Sequence, residues 1–386
     1  MVRTGVIGIG GFGRTHVSAL RRMEAEGLAT LAAAAQPRLP GMEQEIEALR
    51  AAGVPVYEDW QEMLAREGLE AVTIATPVPL HFAMCAGALA AGAHVLLEKP
   101  PLPSVEKLDQ LVAQATAAGR ICAVDFQMLS GETTRDLKAL ITSGAIGRVR
   151  RVTGIGLWKR LDAYYQSSRW HGQLRQGDEW ALGGPVANAM GHVLNQCLYF
   201  ARATPGFAQP ERIEAELYRA HPGIENEDTA AVRVHTDAGA VCCFYPTFCV
   251  AKQRQPWIEL DAENARVKWD YDHALEIRWS DGREERREYS PEGRIEHTKM
   301  FRNFFHTIRG EETLLCSLAD TRAFTAAATG AYAAGSPVRD VDPAYIERVP
   351  DGDSVATLIR GVADDILRAA EAGALFTEAG APWAKV

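Results

Sequence analysis

Through the first 125 residues, short apolar runs alternate with longer segments whose apolar residues recur every three or four positions. Residues 2–7 form the first run, and Val17, Leu20 and Met23 then mark a helix over about 14–26. The pattern continues with predicted strands at 30–35, 54–57, 71–75, around Val95-Leu96-Leu97, and at 121–125. Between them the spacing predicts helices over 42–52, from an Asp59 cap to Glu67, from about His81 with Pro79 in its first turn, and over 104–118. Repeated strand–helix units of this length predict an α/β fold: a parallel, doubly wound sheet with right-handed crossovers.

From about Phe126 the alternation stops. A helix over 132–143 leads into a strand at 149–157, and strand-like runs follow at 212–218, 229–235, 240–245, 257–261, 266–270 and 274–279. Turn signals at 237–239, 261–264 and 281–282 separate several of them, which predicts an antiparallel or mixed sheet. Helical segments are expected at 297–308, 318–334 and 354–372. A chain of 386 residues exceeds one ordinary core, so two domains are expected, 1–125 and 126–386, with the C-terminal helices about 354–372 packing back on the first.

Composition narrows the function classes. The net charge of -9, without a basic stripe carrying interleaved aromatics, argues against a nucleic-acid partner. Seven scattered cysteines show no metal-type pairing and read as small core residues in a reducing compartment, so no metal is expected. The N-terminus runs directly into a strand and no apolar run approaches membrane-spanning length, so the expectation is a cytoplasmic protein without a membrane partner. H-E-x-x-H, P-loop and nucleophile-elbow patterns are absent.

The chemistry begins at the first strand's end. Gly8-Ile-Gly10-Gly11-Phe12-Gly13 lies between strand and helix, the context that a dinucleotide fingerprint needs. Gly8 permits the tight turn, Gly10 lets backbone approach a pyrophosphate, and Gly13 lets helix and strand pack closely. The second strand should end on an acid for the adenosine ribose, but Gln36 stands there, 23 residues after Gly13, with Arg38 close behind. Arg38 suits a 2′-phosphate, which keeps NADP beside NAD; a solvated loop arginine is nearly as good a reading. Farther on, the strand His94-Val-Leu-Leu is stopped by Pro100 and Pro101 and delivers Glu98-Lys99 to the sheet edge where α/β folds bind ligands.

Gly8-x-Gly-x-x-Gly13, Ala75-Thr-Pro77 with His81, and Glu98-Lys-Pro100, at these separations, resemble the Gfo/Idh/MocA oxidoreductases, the family of glucose-fructose oxidoreductase and inositol 2-dehydrogenase. The resemblance implies a Rossmann domain followed by an α+β domain with a large, open-faced, mostly antiparallel sheet, and a homo-oligomer, dimer or tetramer, built on that open face. It also implies cofactor contacts from the glycine loop, Thr76, Pro77, His81, Glu98 and Lys99, joined by Gln36 and Arg38. Relatives carry Asp, Gly and His at spacing 0, +2 and +4, often with Asp at +7. Here those positions hold Asn188, Met190, His192 and Asn195. Asn188, His192 and Asn195 would share one face of a helix.

The implied reaction is hydride transfer between a sugar or polyol carbinol and a nicotinamide. His192 suits the base that takes the hydroxyl proton, since an imidazole titrates near working pH. Lys99 is expected beside the same oxygen, polarising the carbonyl or relaying the proton, and Asn188 is expected to position substrate. Arg160, Tyr165, Arg169 and Trp170 lie in an aromatic and arginine-rich loop suited to carbohydrate. Anchoring that loop to the core is an equal reading for Trp158 and Trp170. Two other functions fit the same residues: redox-assisted glycoside cleavage with a tightly held NAD, and a non-catalytic ligand sensor on a dinucleotide fold. Retention of both Lys99 and His192 speaks against the sensor.

Overall fold

The computed structural model describes every residue except 169, 178, 272, 273, 385 and 386. The chain divides into two compact units: residues 1–130 with 295–322, and residues 131–294 with 323–386. The first unit is built on strands β1 (Val2–Ile7), β2 (Ala29–Ala35), β3 (Val56–Tyr57), β4 (Ala71–Ile74), β5 (His94–Leu97) and β6 (Cys122–Val124). They form one sheet in the order β3-β2-β1-β4-β5-β6, with every pair parallel. Helices α1 (Gly13–Ala25), α2 (Glu43–Ala51), α3 (Trp60–Glu67), α4 (His81–Ala90) and α5 (Val105–Ala118) make the crossovers. Asp59 caps α3 by accepting from the Gln61 N–H, and Ser104 caps α5 by accepting from the Lys107 N–H. Strand order reverses between β1 and β4, which opens the crevice where such sheets take ligands. Val95, Leu96 and Leu97 are wholly buried, so β5 is fixed by its core and ends abruptly at Glu98.

The second unit opens with α6 (Glu132–Thr142), the long strand β7 (Val149–Lys159), a short helix α7 (Asp162–Gln166), a small hairpin of β8 (Arg175–Gln176) and β9 (Glu179–Trp180), and α8 (Gly191–Phe200). A meander of β10 (Pro210–Arg219), β11 (Thr229–Thr236), β12 (Val241–Thr247), β13 (Cys249–Ala262), β14 (Ala265–Asp270), β15 (Ala274–Trp279) and β16 (Glu284–Glu288) follows. Helix α9 (His297–Ile308) belongs to the first unit, where Phe301, Phe304 and Phe305 join the core beneath α1. The chain ends with α10 (Arg322–Gly335), β17 (Arg339–Asp340), the hairpin β18 (Ile346–Asp351) and β19 (Ser354–Ile359), and α11 (Val362–Ala372). The large sheet has nine strands in the order β16-β15-β14-β13-β7-β12-β11-β10-β17, mixed but mostly antiparallel.

Three expectations change. The helix expected over 354–372 is a strand and a helix: Val355-Ala-Thr-Leu-Ile359 pairs with β18, and Gly361, at φ +78°, breaks the chain before α11 starts. Its β-branched residues favour the pleated surface that β18 offers. The all-polar Glu284–Glu288 is a seventh strand of this run that apolar patterning does not show, because it lies at the edge and pairs only with β15. Asn188 and His192 do not share one α-helix. Asn188 sits in a wide π-type turn, Pro185–Ala189, Met190 leaves helical geometry at φ -111° and ψ 12°, and α8 begins at Gly191.

Both faces of the nine-stranded sheet are packed in their central part. On one face, glycines at 154 and 156 of β7 let α8 come close: an added Cβ at Gly154 would lie 2.7 Å from Val193, and one at Gly156 2.3 Å from the Met190 sulfur. On the other face, α11 and the residues through Trp383 cover Ile155, Leu157, Tyr218, Tyr245 and Trp257. Trp383 is wholly buried, donates from Nε1 to Asp365 at 2.7 Å and packs edge-on to Tyr218. Trp383→Ala removes that ring and the indole donor to Asp365 Oδ2, so it should cost about 3–5 kcal/mol in denaturant unfolding of the second unit. A loss below about 1 kcal/mol would mean that the C-terminal segment is not part of the core.

Candidate active site

In the first unit Gly8 and Gly13 have no room for side chains. Gly8 has φ +86°, and a Cβ there would lie 2.4 Å from the Ala75 carbonyl; one at Gly13 would lie 2.2 Å from the Gly8 carbonyl. Gly11 has φ +52° with open space beside it. Helix α1 starts behind this loop with no side-chain cap and no acid in its first turn, leaving the positive end of its dipole for an anion. Gln36 is buried and turned toward the loop, its Oε1 accepting from the Ile9 N–H at 3.0 Å. Arg38 is exposed, and its Nε meets Glu58 at 2.5 Å.

At the C-terminal ends of β4 and β5, buried His81 acts as a tie. Its Nδ1 lies 3.1 Å from the Pro100 carbonyl and 2.9 Å from that of Pro101, and its Nε2 lies 2.8 Å from that of Thr76. Burial lowers its pKa against the pull of those carbonyls. The Thr76 hydroxyl donates to the Met84 sulfur. Lys99, after β5 and half-buried, has its ammonium pushed below the ordinary lysine range by burial, with Glu98 and Asp125 pulling the other way. Glu98 takes the Lys99 backbone N–H on Oε2 at 3.1 Å and lies 3.1 Å from Nε2 of buried His16 through Oε1.

In the second unit, the loop after β7 folds round Arg160. Its guanidinium lies over Trp158 at 4.8 Å, Tyr164 at 5.1 Å and Phe248 at 5.4 Å. Tyr164 stacks on His171, and Tyr165 packs on His221 at 4.7 Å. The Tyr165 hydroxyl is buried without a hydrogen-bond partner among the described residues, and the residue helps line a cavity of about 410 Å³ together with Asp162, His171 and Ile224. Trp170 sits edge-on to His171, and its carbonyl crowds Gly183, so the loop backbone rests on the glycines that lead to Asn188. Arg169 lies outside the described residues. Asn188 and His192 are both buried, the latter in the first turn of α8. The far end of α8 is held by Lys138, whose Nζ donates to the carbonyls of Tyr199 and Arg202 at 2.7 Å each.

A sequence model described as an oxidoreductase family with an NAD-binding Rossmann fold matches residues 2–126, and the Gfo/Idh/MocA C-terminal domain matches residues 134–268. The chain belongs to the Gfo/Idh/MocA family. Among curated relatives, D-glucoside 3-dehydrogenase of Escherichia coli is 28% identical over 42% of this chain and 44% of its own length. Inositol 2-dehydrogenase of Streptomyces avermitilis is 34% identical over 37% of this chain and 41% of its own. The chain thus spans less than half the length of these relatives. Among solved structures, the WlbA dehydrogenase of Bordetella pertussis with NADH and UDP-GlcNAcA superposes with a TM-score of 0.71 at 23% identity, covering 87% of this chain and 97% of that one. A levoglucosan dehydrogenase with NADH and levoglucosan gives 0.72 at 18% identity over the same shares, 87% and 97%. At these identities the likeness concerns the fold.

The glycine cradle, with its uncapped helix, fits the dinucleotide of a Gfo/Idh/MocA protein, and Gly8, Gly10, Gly11, Phe12 and Gly13 would hold its pyrophosphate. Against the family pattern, Met190 in place of glycine is accommodated by Gly156, whose missing side chain leaves room for the Met190 sulfur.

A carboxylate near Asn188 was not foreseen. Glu227 belongs to Glu225-Asn-Glu-Asp228, in which Asp228 caps a turn by accepting the N–H groups of Ala220 and His221 at 2.8 Å each. Glu227 instead points inward: Oε1 accepts from the Val186 N–H and the Tyr332 hydroxyl at 3.0 Å each, and its carboxyl fills the space over Gly184. Burial pushes its pKa up to about 8, helped by Asp228 and opposed by the hydrogen bonds it accepts. Its hydropathy gives no hint of this; only Gly183-Gly184 signals that something bulky lies against the turn.

An acid whose pKa is raised on folding contributes its full stability below the unfolded-state value, about 4.3, and loses it as the pH climbs through the folded-state value. Wild-type stability should therefore fall between about pH 4.3 and pH 8 through Glu227. Glu227→Gln, isosteric and uncharged, should flatten that slope in urea unfolding and gain on wild type at pH 9. An unchanged slope would show that Glu227 is ionised throughout.

Proposed function

We propose that this protein is an NAD(P)-dependent oxidoreductase that transfers a hydride between a nicotinamide cofactor and a carbinol carbon of a sugar, inositol or related polyol. The observation that carries this reading is Lys99: a half-buried lysine with a lowered pKa, at the ligand-binding edge of the sheet whose glycine loop fits a dinucleotide. The sugar and polyol dehydrogenases among the relatives support the substrate class.

The bound dinucleotide supplies the hydride acceptor. The protein's part is the hydroxyl proton and the orientation of the carbinol. Lys99, with its pKa lowered, has access to its neutral amine, which accepts a hydroxyl proton; in the reverse direction its ammonium donates to the carbonyl oxygen. His192 is the second proton-handling group, and Asn188, an amide, orients substrate by hydrogen bonding without moving a proton. Arg160, Tyr165, Arg169 and Trp170 are the carbohydrate contacts in this reading. Arg160 would act through its aromatic cage, and Tyr165 as part of the cavity wall.

The cofactor is NAD(H) in preference to NADP(H), because Gln36 is occupied with the Ile9 N–H and Arg38 is ion-paired to Glu58. A homo-oligomer would have to use the sheet surface left open by α11, including the exposed side chains at 251–255, and light scattering reads its size.

Lys99→Met and His192→Ala should each lower kcat/KM on the true substrate by about 10²–10⁴-fold while leaving NADH binding by fluorescence within a few fold. Full activity in either variant would remove that residue from the proton path. In the same titration NADH should bind more tightly than NADPH, and Arg38→Ala should change neither affinity by more than about threefold. Tighter NADPH binding that is lost in Arg38→Ala would reverse the cofactor assignment.

A further inference from the structure

Glu98 does not end the chain of ionisable groups behind Lys99. Asp125, immediately after β6, donates its backbone N–H to the Leu97 carbonyl and so lies beside the end of β5. Its side chain is wholly buried, and one oxygen comes together with a Glu98 oxygen and His16 Nε2, all within 4.8 Å of one another. The other face of Asp125 meets His297, in the first turn of α9, with Nδ1 3.4 Å from Oδ2. His297 keeps a quarter of its side chain exposed, and its ring packs against Phe12 of the glycine loop at 4.9 Å. The row runs from the turn that carries Lys99, through two buried carboxylates, to an imidazole that reaches water.

A structural ion pair has no need of this layout. Burying Asp125 costs several kcal/mol unless it is well paired, yet Oδ1 has no hydrogen-bond partner among the described residues and the His297 contact is long. Burial, with the Glu98 charge beside it, favours the protonated form of Asp125. Burial raises the Asp125 pKa, and burial of His297 is more than offset by Asp125 and Glu98, so the imidazole is held above its ordinary range beside a carboxyl that is itself raised.

We propose that Asp125 and His297 are the outlet through which the proton taken up at Lys99 reaches solvent, a role that rests on the dehydrogenase reading above. In the oxidation direction the substrate O–H bond breaks and its proton forms an N–H bond at the neutral Lys99 amine, while the carbinol C–H pair leaves as hydride to the cofactor. The Lys99 ammonium then gives a proton to Asp125, with Glu98 sharing the negative charge. Asp125 passes it to His297 Nδ1, and Nε2 of the same ring releases one to water. The sum is one carbinol oxidised, one cofactor reduced and one proton in solvent. Asp125, Glu98, Lys99, the buried His16 and the buried Cys316 thiol are titratable groups that bear on His297 or on Asp125, and Glu296, paired with Arg22, lies next to His297 on the surface.

Two readouts test this. Ring-labelled histidine NMR on the ligand-free full-length protein should show the His297 pKa falling by about one unit in Asp125→Asn and rising in Lys99→Met, because the lysine's positive charge holds it down. If neither variant moves the His297 titration, the outlet is wrong whether or not the protein is a dehydrogenase. In single turnover with a pH-indicator dye, wild type should release its proton together with cofactor reduction. In His297→Ala release should lag about tenfold and be restored by added imidazole. His297→Gln, which keeps the packing on Phe12, should show the same lag. Coincident release in both variants, or a lag that imidazole does not relieve, overturns the proposal. Failure of every sugar and polyol to reduce the cofactor would instead overturn the dehydrogenase reading, with the NMR result standing by itself.

Discussion

The first unit depends on a lysine held at the end of a fully buried strand. β5 is apolar through Leu97, and the chain turns at once into Glu98, Lys99 and two prolines, so a charged group is carried to the sheet edge by a core that cannot shift. His81 fastens this turn to the end of β4 through three carbonyls, and Glu98 fastens it to α1 through His16. Placing an ammonium in such surroundings disfavours its charged form. That same cost makes the amine available as a base, so the constraint on the fold and the capacity for proton transfer have one origin.

The second unit solves a related problem differently. The turn bearing Asn188 rests on Glu227, a carboxyl whose burial under Gly184 raises its pKa to about 8 against the hydrogen bonds it accepts from Val186 and Tyr332. Asn188 is an amide, and Met190 fills the space beside Gly156. The ionisable groups of this region are thus His192 on the helix and Glu227 beneath the turn. Lys138, also lowered by burial, to about 8, spends its donors on the carbonyls at the end of α8.

Much of this was legible in the sequence. Strand–helix alternation and the glycine fingerprint specify the first sheet almost residue by residue, because fully buried parallel strands and amphipathic helices leave strong periodic signals. The reading was weaker where the signal is tertiary. Glu284–Glu288 becomes a strand by pairing with β15, and 354–359 becomes one because β18 lies beside it. The helix expected to carry both Asn188 and His192 is interrupted at Met190, which local spacing does not disclose. His16, Asp125, Glu227 and His297 were passed over for a common reason. Their surroundings are set by tertiary partners, 82 residues away for His16 and 172 for Asp125, that local sequence does not disclose.

The most direct test of the central claim follows the hydrogen itself. Sugars and inositols deuterated at each carbinol carbon in turn can be incubated with the protein and oxidised cofactor, and the reduced nicotinamide examined by mass spectrometry. The account predicts deuterium on the nicotinamide from one labelled position of one substrate, and none when Lys99 is replaced by methionine. Absence of transfer from every labelled carbinol, by a protein that binds NADH, would contradict it.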